Sequence, residues 1–127
     1  PGSRAWVTDV CVPISRLAEC ILETNRDLRQ TSLVAPLVGH VGDGNFHLNI
    51  LVNPEDSGEL DEVRAFNGRL VHRAQAMGGT CTGEHGVGMG KMDYLREEHG
   101  AALDVMASIK RALDPDNLMN PGKMFAV

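Results

Sequence analysis

The 127 residues carry 43% hydrophobic and 23% charged side chains, a balance that excludes a disordered chain and suits one domain with a packed core. A formal charge of −5, with no basic run and no interleaved aromatics, excludes the electrostatic footprint of a nucleic-acid binder. Three cysteines without CxxC spacing, Cys11, Cys20 and Cys81, argue against a disulfide framework and a thiolate zinc knuckle, and read as reduced thiols.

No apolar run approaches the roughly 18 residues that cross a bilayer, so no transmembrane segment is expected. The N-terminus lacks a basic region followed by an apolar core, and it opens on Pro1, so the chain reads as a piece of something longer. A cytoplasmic location, or one peripheral to the inner membrane, is the expectation.

Taken in chain order, residues 7–12 are rich in β-branched side chains and stop at Pro13, which predicts a strand. Ser15 offers an N-cap for a helix over 16–29, where Leu17, Ile21 and Leu28, with Ala18 and Cys20, share one stripe. Residues 33–41 resume extended, apolar character, and 46–52 alternate, which gives two further strands. Asp56 or Ser57 can cap a second helix carrying Leu60, Val63, Leu70, Val71, Ala74 and Met77, stopped by Gly78 and Gly79. Residues 80–82 form a short candidate strand, followed by a glycine-dense loop over 83–91, a helical tail and a terminal Asn-Pro-Gly turn. This order predicts an α+β fold of the ferredoxin-like, split βαβ type: an antiparallel sheet, helices on one face, and a C-terminal helical tail. The other face is left for a site.

Asp-Gly between two alternating runs signals a two-residue type I′ turn, because both central positions need φ > 0. With Asp43 and Gly44 at the tip, Gly42 faces Asn45, Val41 faces Phe46, and His40 falls opposite His47 with Cβ atoms about 4.5–5.5 Å apart. Phe46, Leu48, Ile50 and Val52 then point to the helix-covered face, and Asn49 shares the face of the histidines. Two imidazoles held in this way can converge on one divalent ion. The competing reading is a stacked histidine pair with no ligand, and a slip of one residue would move one imidazole to the wrong face.

A third ligand is needed, and Glu84 in the glycine-rich loop is a natural source; His85 beside it is left to move a proton as general base. The same loop also reads as merely mobile. It is not a phosphate loop, because Lys91 is followed by Met92 and position 85 is histidine where glycine is required. No dinucleotide fingerprint and no HExxH is visible. His72 and His99 read as solvated or capping residues.

Three separated motifs then carry a resemblance. They are Gly39-His40-Val41-Gly42-Asp43-Gly44-Asn45-Phe46-His47, Gly83-Glu84-His85-Gly86-Val87-Gly88, and Leu113-Asp114-Pro115 with Met119-Asn120-Pro121-Gly122-Lys123. Over nearly its whole length the chain resembles the C-terminal part of FAD-linked oxidases of the vanillyl-alcohol oxidase type. Thr8-Asp9-Val10-Cys11-Val12-Pro13-Ile14-Ser15-Arg16-Leu17 brings it nearest to those of the cytochrome-type D-lactate dehydrogenase and glycolate oxidase D subunit kind.

The resemblance implies that residues 1–127 are a single domain, the C-terminal FAD-linked oxidase domain. His40, His47 and Glu84 would hold a divalent metal, zinc or manganese, near the flavin. His85 would take the substrate's hydroxyl proton, Asn49 would face the substrate, and Asn120 would open a turn that returns to the flavin. FAD would be held mainly by an N-terminal FAD domain that this sequence does not contain, so the chain alone is expected to be inactive. The implied reaction oxidises a small D-2-hydroxyacid, lactate or glycolate-like, to the 2-oxoacid, with electrons passing to a cytochrome, quinone or flavoprotein. Two other readings stay open: a free-standing metal- or ligand-binding ferredoxin-like module, and a metal-dependent hydrolase.

Overall fold

Near the N-terminus the apolar run yields two short strands, β1 (Arg4–Val7) and β2 (Val10–Cys11), in place of one strand over 7–12. The computed structural model describes residues 2–125. After β2 come α1 (Ile14–Leu28), β3 (Leu37–His40), a 3₁₀ turn over Val41–Asp43, β4 (Asn45–Val52) and α2 (Ser57–Ala76), then α3 (Met92–His99) and α4 (Ala102–Leu113). The chain divides into two compact units, residues 1–84 and 85–127.

In the first unit, β1 and β2 both pair antiparallel with β4 in one continuous register: Arg4 lies opposite Val52, Val7 opposite Asn49, Val10 opposite Phe46 and Cys11 opposite Asn45. The interruption at Thr8 and Asp9 is therefore a change of partners, not of direction. Thr8 N still donates to Leu48 O at 3.0 Å, but Leu48 N donates to Thr8 Oγ1 at 2.9 Å, which releases the Thr8 carbonyl from the ladder. On the other side of β4, β3 pairs antiparallel, and an isolated bridge joins Cys11 to Thr80. The sheet thus reads Thr80, β1 with β2, β4, β3, the order of a split βαβ fold whose fourth strand is reduced to one bridge. The strand expected over 80–82 amounts to that bridge.

Phe46, Leu48, Ile50 and Val52 are at most 4% exposed, on the expected helix-covered face, with Val63, Phe66, Leu70, Val71 and Ala74 of α2 and Leu17 and Cys20 of α1 also buried. The opposite face carries Asn45, His47, Asn49 and Leu51, with exposed Val7, Val34 and Val38 beside them.

α1 starts two residues earlier than expected. Pro13 holds the N-cap position with no side-chain cap, so Ser15 lies inside the helix; a proline's fixed φ near −65° suits a helix start, and its missing N–H would have been unsatisfied there anyway. α1 and α2 are clamped by Asp27, which accepts from Arg69 Nε and Nη2 at 2.8–3.1 Å and from Arg73 Nη2 at 2.9 Å. Burial raises the Asp27 carboxyl, but the hydrogen bonds and charges of the two arginines outweigh it and hold the group below its ordinary value.

α2 is capped as expected. Asp56 accepts from Glu59 N at 3.1 Å, while Glu59 reaches back to accept from Asn53 N at 2.7 Å. Asp56→Ala is expected to destabilise the chain by about 1 kcal/mol, read from the urea midpoint at unchanged slope. An unchanged midpoint would show that the cap contributes nothing.

In the second unit, α3 and α4 are separated by Gly100, with φ of 50°. After α4, Asp114 pairs with Lys110 and accepts from Leu118 N and Met119 N at 2.9 and 2.8 Å, which shapes the turn that carries Asn120.

Candidate metal centre

The connection from β3 to β4 is four residues long, 41–44, and not the expected two-residue turn. Only Gly44 is left-handed, with φ of 73°, and a Cβ there would sit 2.0 Å from Val12 O. The backbone of Gly44 is drawn against β2 instead, where its carbonyl accepts from Val12 N at 3.0 Å. The register moves accordingly: His40 lies opposite Asn45, and Val38 lies opposite His47. The expected direct opposition of the two histidines is thus corrected. The shift changes every partner by two residues and preserves the faces, so His40 and His47 remain on one face as diagonal neighbours, with ring centroids 6.0 Å apart and planes at 83°.

Glu84 completes the cluster. Its Oε1 lies 2.9 Å from His47 Nε2 and 3.3 Å from His40 Nε2, and one donor atom from each of the three residues falls within 4.8 Å of the others. His47 is buried, whereas His40 and Glu84 are exposed.

The tautomer of His47 follows from Thr8. The Thr8 carbonyl released from the ladder lies 3.0 Å from His47 Nδ1, and a carbonyl can only accept, so Nδ1 carries the proton. Nε2 is then the ring nitrogen that faces the Glu84 carboxylate, at 2.9 Å. Two acceptors at 2.9 Å require something positive between them, either a proton or a cation. Convergence of two imidazoles and one carboxylate, with one imidazole oriented by a backbone carbonyl, is the donor chemistry of a divalent-metal site. These residues fit such an ion.

A hollow of about 380 Å³ opens beside the cluster, lined by Cys11, His40, Asp43, Asn45, Gly83 and Glu84. Asn45 Oδ1 is buried without a hydrogen-bond partner, an acceptor left for a bound group. Cys11 stands outside the donor set: burial, then Asp9 and Asp43, push its thiol up, and Sγ donates to Asp43 O at 3.2 Å.

Asn49 lies on the histidine face, two residues beyond His47 and opposite Val7. His85 directly follows Glu84 in sequence and is an exposed residue of the second unit. Asn120, in the same unit, is exposed at φ of 49° and lines a pocket of about 260 Å³ with Lys110, Met119, Lys123, Met124 and Phe125. His72 is exposed on α2, and His99 closes α3 beside Glu98. Sequence reasoning missed Thr8 and Asp9, whose roles depend on β4 and on the loop at 82–84. Cys11, Cys20 and Cys81 are thiols, with Cys20 and Cys81 buried.

The chain matches the family model described as "FAD linked oxidases, C-terminal domain" over residues 1–124. It is 56% identical over 126 residues to the probable mitochondrial D-lactate dehydrogenase of Danio rerio, covering 98% of this chain and 25% of the relative. The mitochondrial D-lactate dehydrogenase (cytochrome) of Arabidopsis thaliana is 50% identical over 126 residues, covering 98% and 22%. Glycolate oxidase subunit GlcD of Bacillus subtilis is 36% identical over 119 residues, covering 93% and 25%. The chain thus spans about a quarter of the length of these relatives.

Proposed function

Because the chain belongs to the FAD-linked oxidase family, as its C-terminal domain, we propose that it is the substrate- and metal-binding portion of a flavin-dependent D-2-hydroxyacid dehydrogenase. The observation that carries this reading is the convergence of His40 Nε2 and His47 Nε2 on Glu84 Oε1 beside an open hollow.

His40, His47 and Glu84 would hold zinc or manganese, which as a Lewis acid would acidify the substrate's hydroxyl and orient its carboxylate. FAD, held mainly by the rest of the protein, would accept the α-hydrogen as hydride. His85, next in sequence to a metal ligand, takes the hydroxyl proton, a task suited to an imidazole near neutral pH. Asn49, on the histidine face, contacts the substrate, and Asn120 approaches the flavin from the strained terminal turn. The exposed apolar residues beside the site, Val7, Val34, Val38 and Leu51, suit burial against the FAD domain.

The substrate proposed is D-lactate or a glycolate-like 2-hydroxyacid, and the acceptor a cytochrome, quinone or flavoprotein. Two of the relatives are named as mitochondrial, and no helix among the described residues is long and apolar enough to cross a membrane. A mitochondrial compartment is therefore proposed over the cytoplasm, and reduced cysteines suit either.

Joining the chain to an FAD-binding domain of a relative and following dye reduction by D-lactate tests the reading. D-lactate is expected to reduce the dye, and His85→Ala to lower kcat by about 10²-fold or more. No reduction with any D-2-hydroxyacid, or an undiminished rate in His85→Ala, would sink it.

A further inference from the structure

We infer that Asp9 is the positioning residue of this centre: its buried carboxylate fixes residues 82–84 so that Glu84 is delivered to His40 and His47. The inference rests on the reading of the cluster as a metal site.

Asp9 is only 2% exposed and sits at the gap between β1 and β2, where the continuous register places it across from His47. A carboxylate at such depth is tolerable only if its oxygens are well supplied with donors. Asn45 Nδ2 donates to Oδ1 at 2.9 Å; Thr82 Oγ1 and Gly83 N each donate to Oδ2 at 2.9 Å; Glu84 N lies 3.2–3.3 Å from both oxygens. Asp9 Oδ1 is also 3.6 Å from His47 Nδ1. One side chain therefore grips the strand that bears His47 and the loop that bears Glu84.

The loop is shaped for this grip. A Cβ on Gly83 would lie 1.7 Å from Asn45 Nδ2 and 2.8 Å from Asp9 Oδ1, so only glycine lets the backbone come close enough for successive N–H groups to reach one carboxylate. The four donors also explain why a carboxylate stands here and not its isostere. An asparagine would keep the shape but turn an NH₂ group toward donors, leaving at least one of them without an acceptor.

The test uses the 127-residue chain, with zinc as the probe, and compares wild type with Asp9→Asn. Zinc affinity is expected to fall by about 10–100-fold, the usual effect of losing a group that orients a ligand. Amide exchange at Gly83 and Glu84 is expected to accelerate at least tenfold, while the core amides of α2 at Val71 and Ala74 stay protected. A merely structural role would speed exchange throughout and leave the site itself unmarked. Thr82→Val, which removes one donor without touching the sheet, serves if Asp9→Asn does not fold; it is expected to give the same localised change at several-fold size. Unchanged exchange at Gly83 and Glu84 in these variants overturns the inference, and the metal reading survives if wild type binds zinc. Localised acceleration with no zinc binding by wild type leaves Asp9 as the anchor of the loop and overturns the metal reading.

Discussion

Replacing Glu84 with glutamine is expected to weaken zinc or manganese binding by the 127-residue chain by more than ~100-fold, beyond what loss of a supporting group costs. The variant keeps the length and shape of the side chain but removes its charge and turns one acceptor oxygen into an NH₂ donor, and two imidazoles alone make a weak site for a divalent ion. Glu84 is exposed, so stability should stay within about 0.5 kcal/mol of wild type. His47→Ala should approach the effect of Glu84→Gln, because Thr8 holds that imidazole with Nε2 already directed to the centre. His40 is exposed and stands further from Glu84, at 3.3 Å, so its loss should cost less. Competition against a chromophoric chelator measures all three. Equal affinity in Glu84→Gln and wild type would mean that a proton, not a metal, bridges Glu84 and His47.

The face on which the centre lies was legible in the sequence, because the alternation over residues 46–52 assigns Phe46, Leu48, Ile50 and Val52 to the core and His47 to the other side. The turn that feeds it was not. Asp43-Gly44 looks locally like a two-residue hairpin, but Gly44 is drawn to the backbone of Val12, a contact 32 residues away in the chain, and the turn widens to four residues. The site survived that misreading only because a shift of two residues preserves the faces. The gap in the first strand was equally hidden, since it depends on Thr8 Oγ1 replacing its own carbonyl in the ladder with β4. Glu84 could be singled out but not placed, because what holds its backbone in place is Asp9, 75 residues earlier. Helix limits failed more modestly: Pro13 took the start that Ser15 was expected to cap. Local patterns thus gave the faces and the residue types, while the hydrogen bonds that position His47 and Glu84 are long-range and leave no local trace.

The loop's glycines invite the same question, because composition treats them alike while the packing does not. Gly83→Ala is expected to abolish detectable zinc binding and to cost about 1–3 kcal/mol of stability, the range for forcing extra volume into a packed place. Its backbone is not left-handed, so the penalty is purely one of space: the new methyl would fall 1.7 Å from Asn45 Nδ2, and either Asn45 or residues 82–84 must withdraw. If the loop withdraws, Gly83 N and Glu84 N lose Asp9 and the Glu84 carboxylate leaves the two imidazoles. If Asn45 withdraws, its hydrogen bonds to Asp9 and to Val10 O at 2.8 Å are lost at the junction of β2 and β4. Gly42→Ala is the matched control from the other motif, since a Cβ there meets nothing within 4 Å and the backbone is not left-handed. It should bind zinc as wild type does and unfold at the same urea concentration. Zinc titration and urea unfolding of the two alanine variants side by side decide the matter: wild-type affinity in Gly83→Ala would show that Glu84 reaches the histidines without the close approach of residues 82–84 to Asp9.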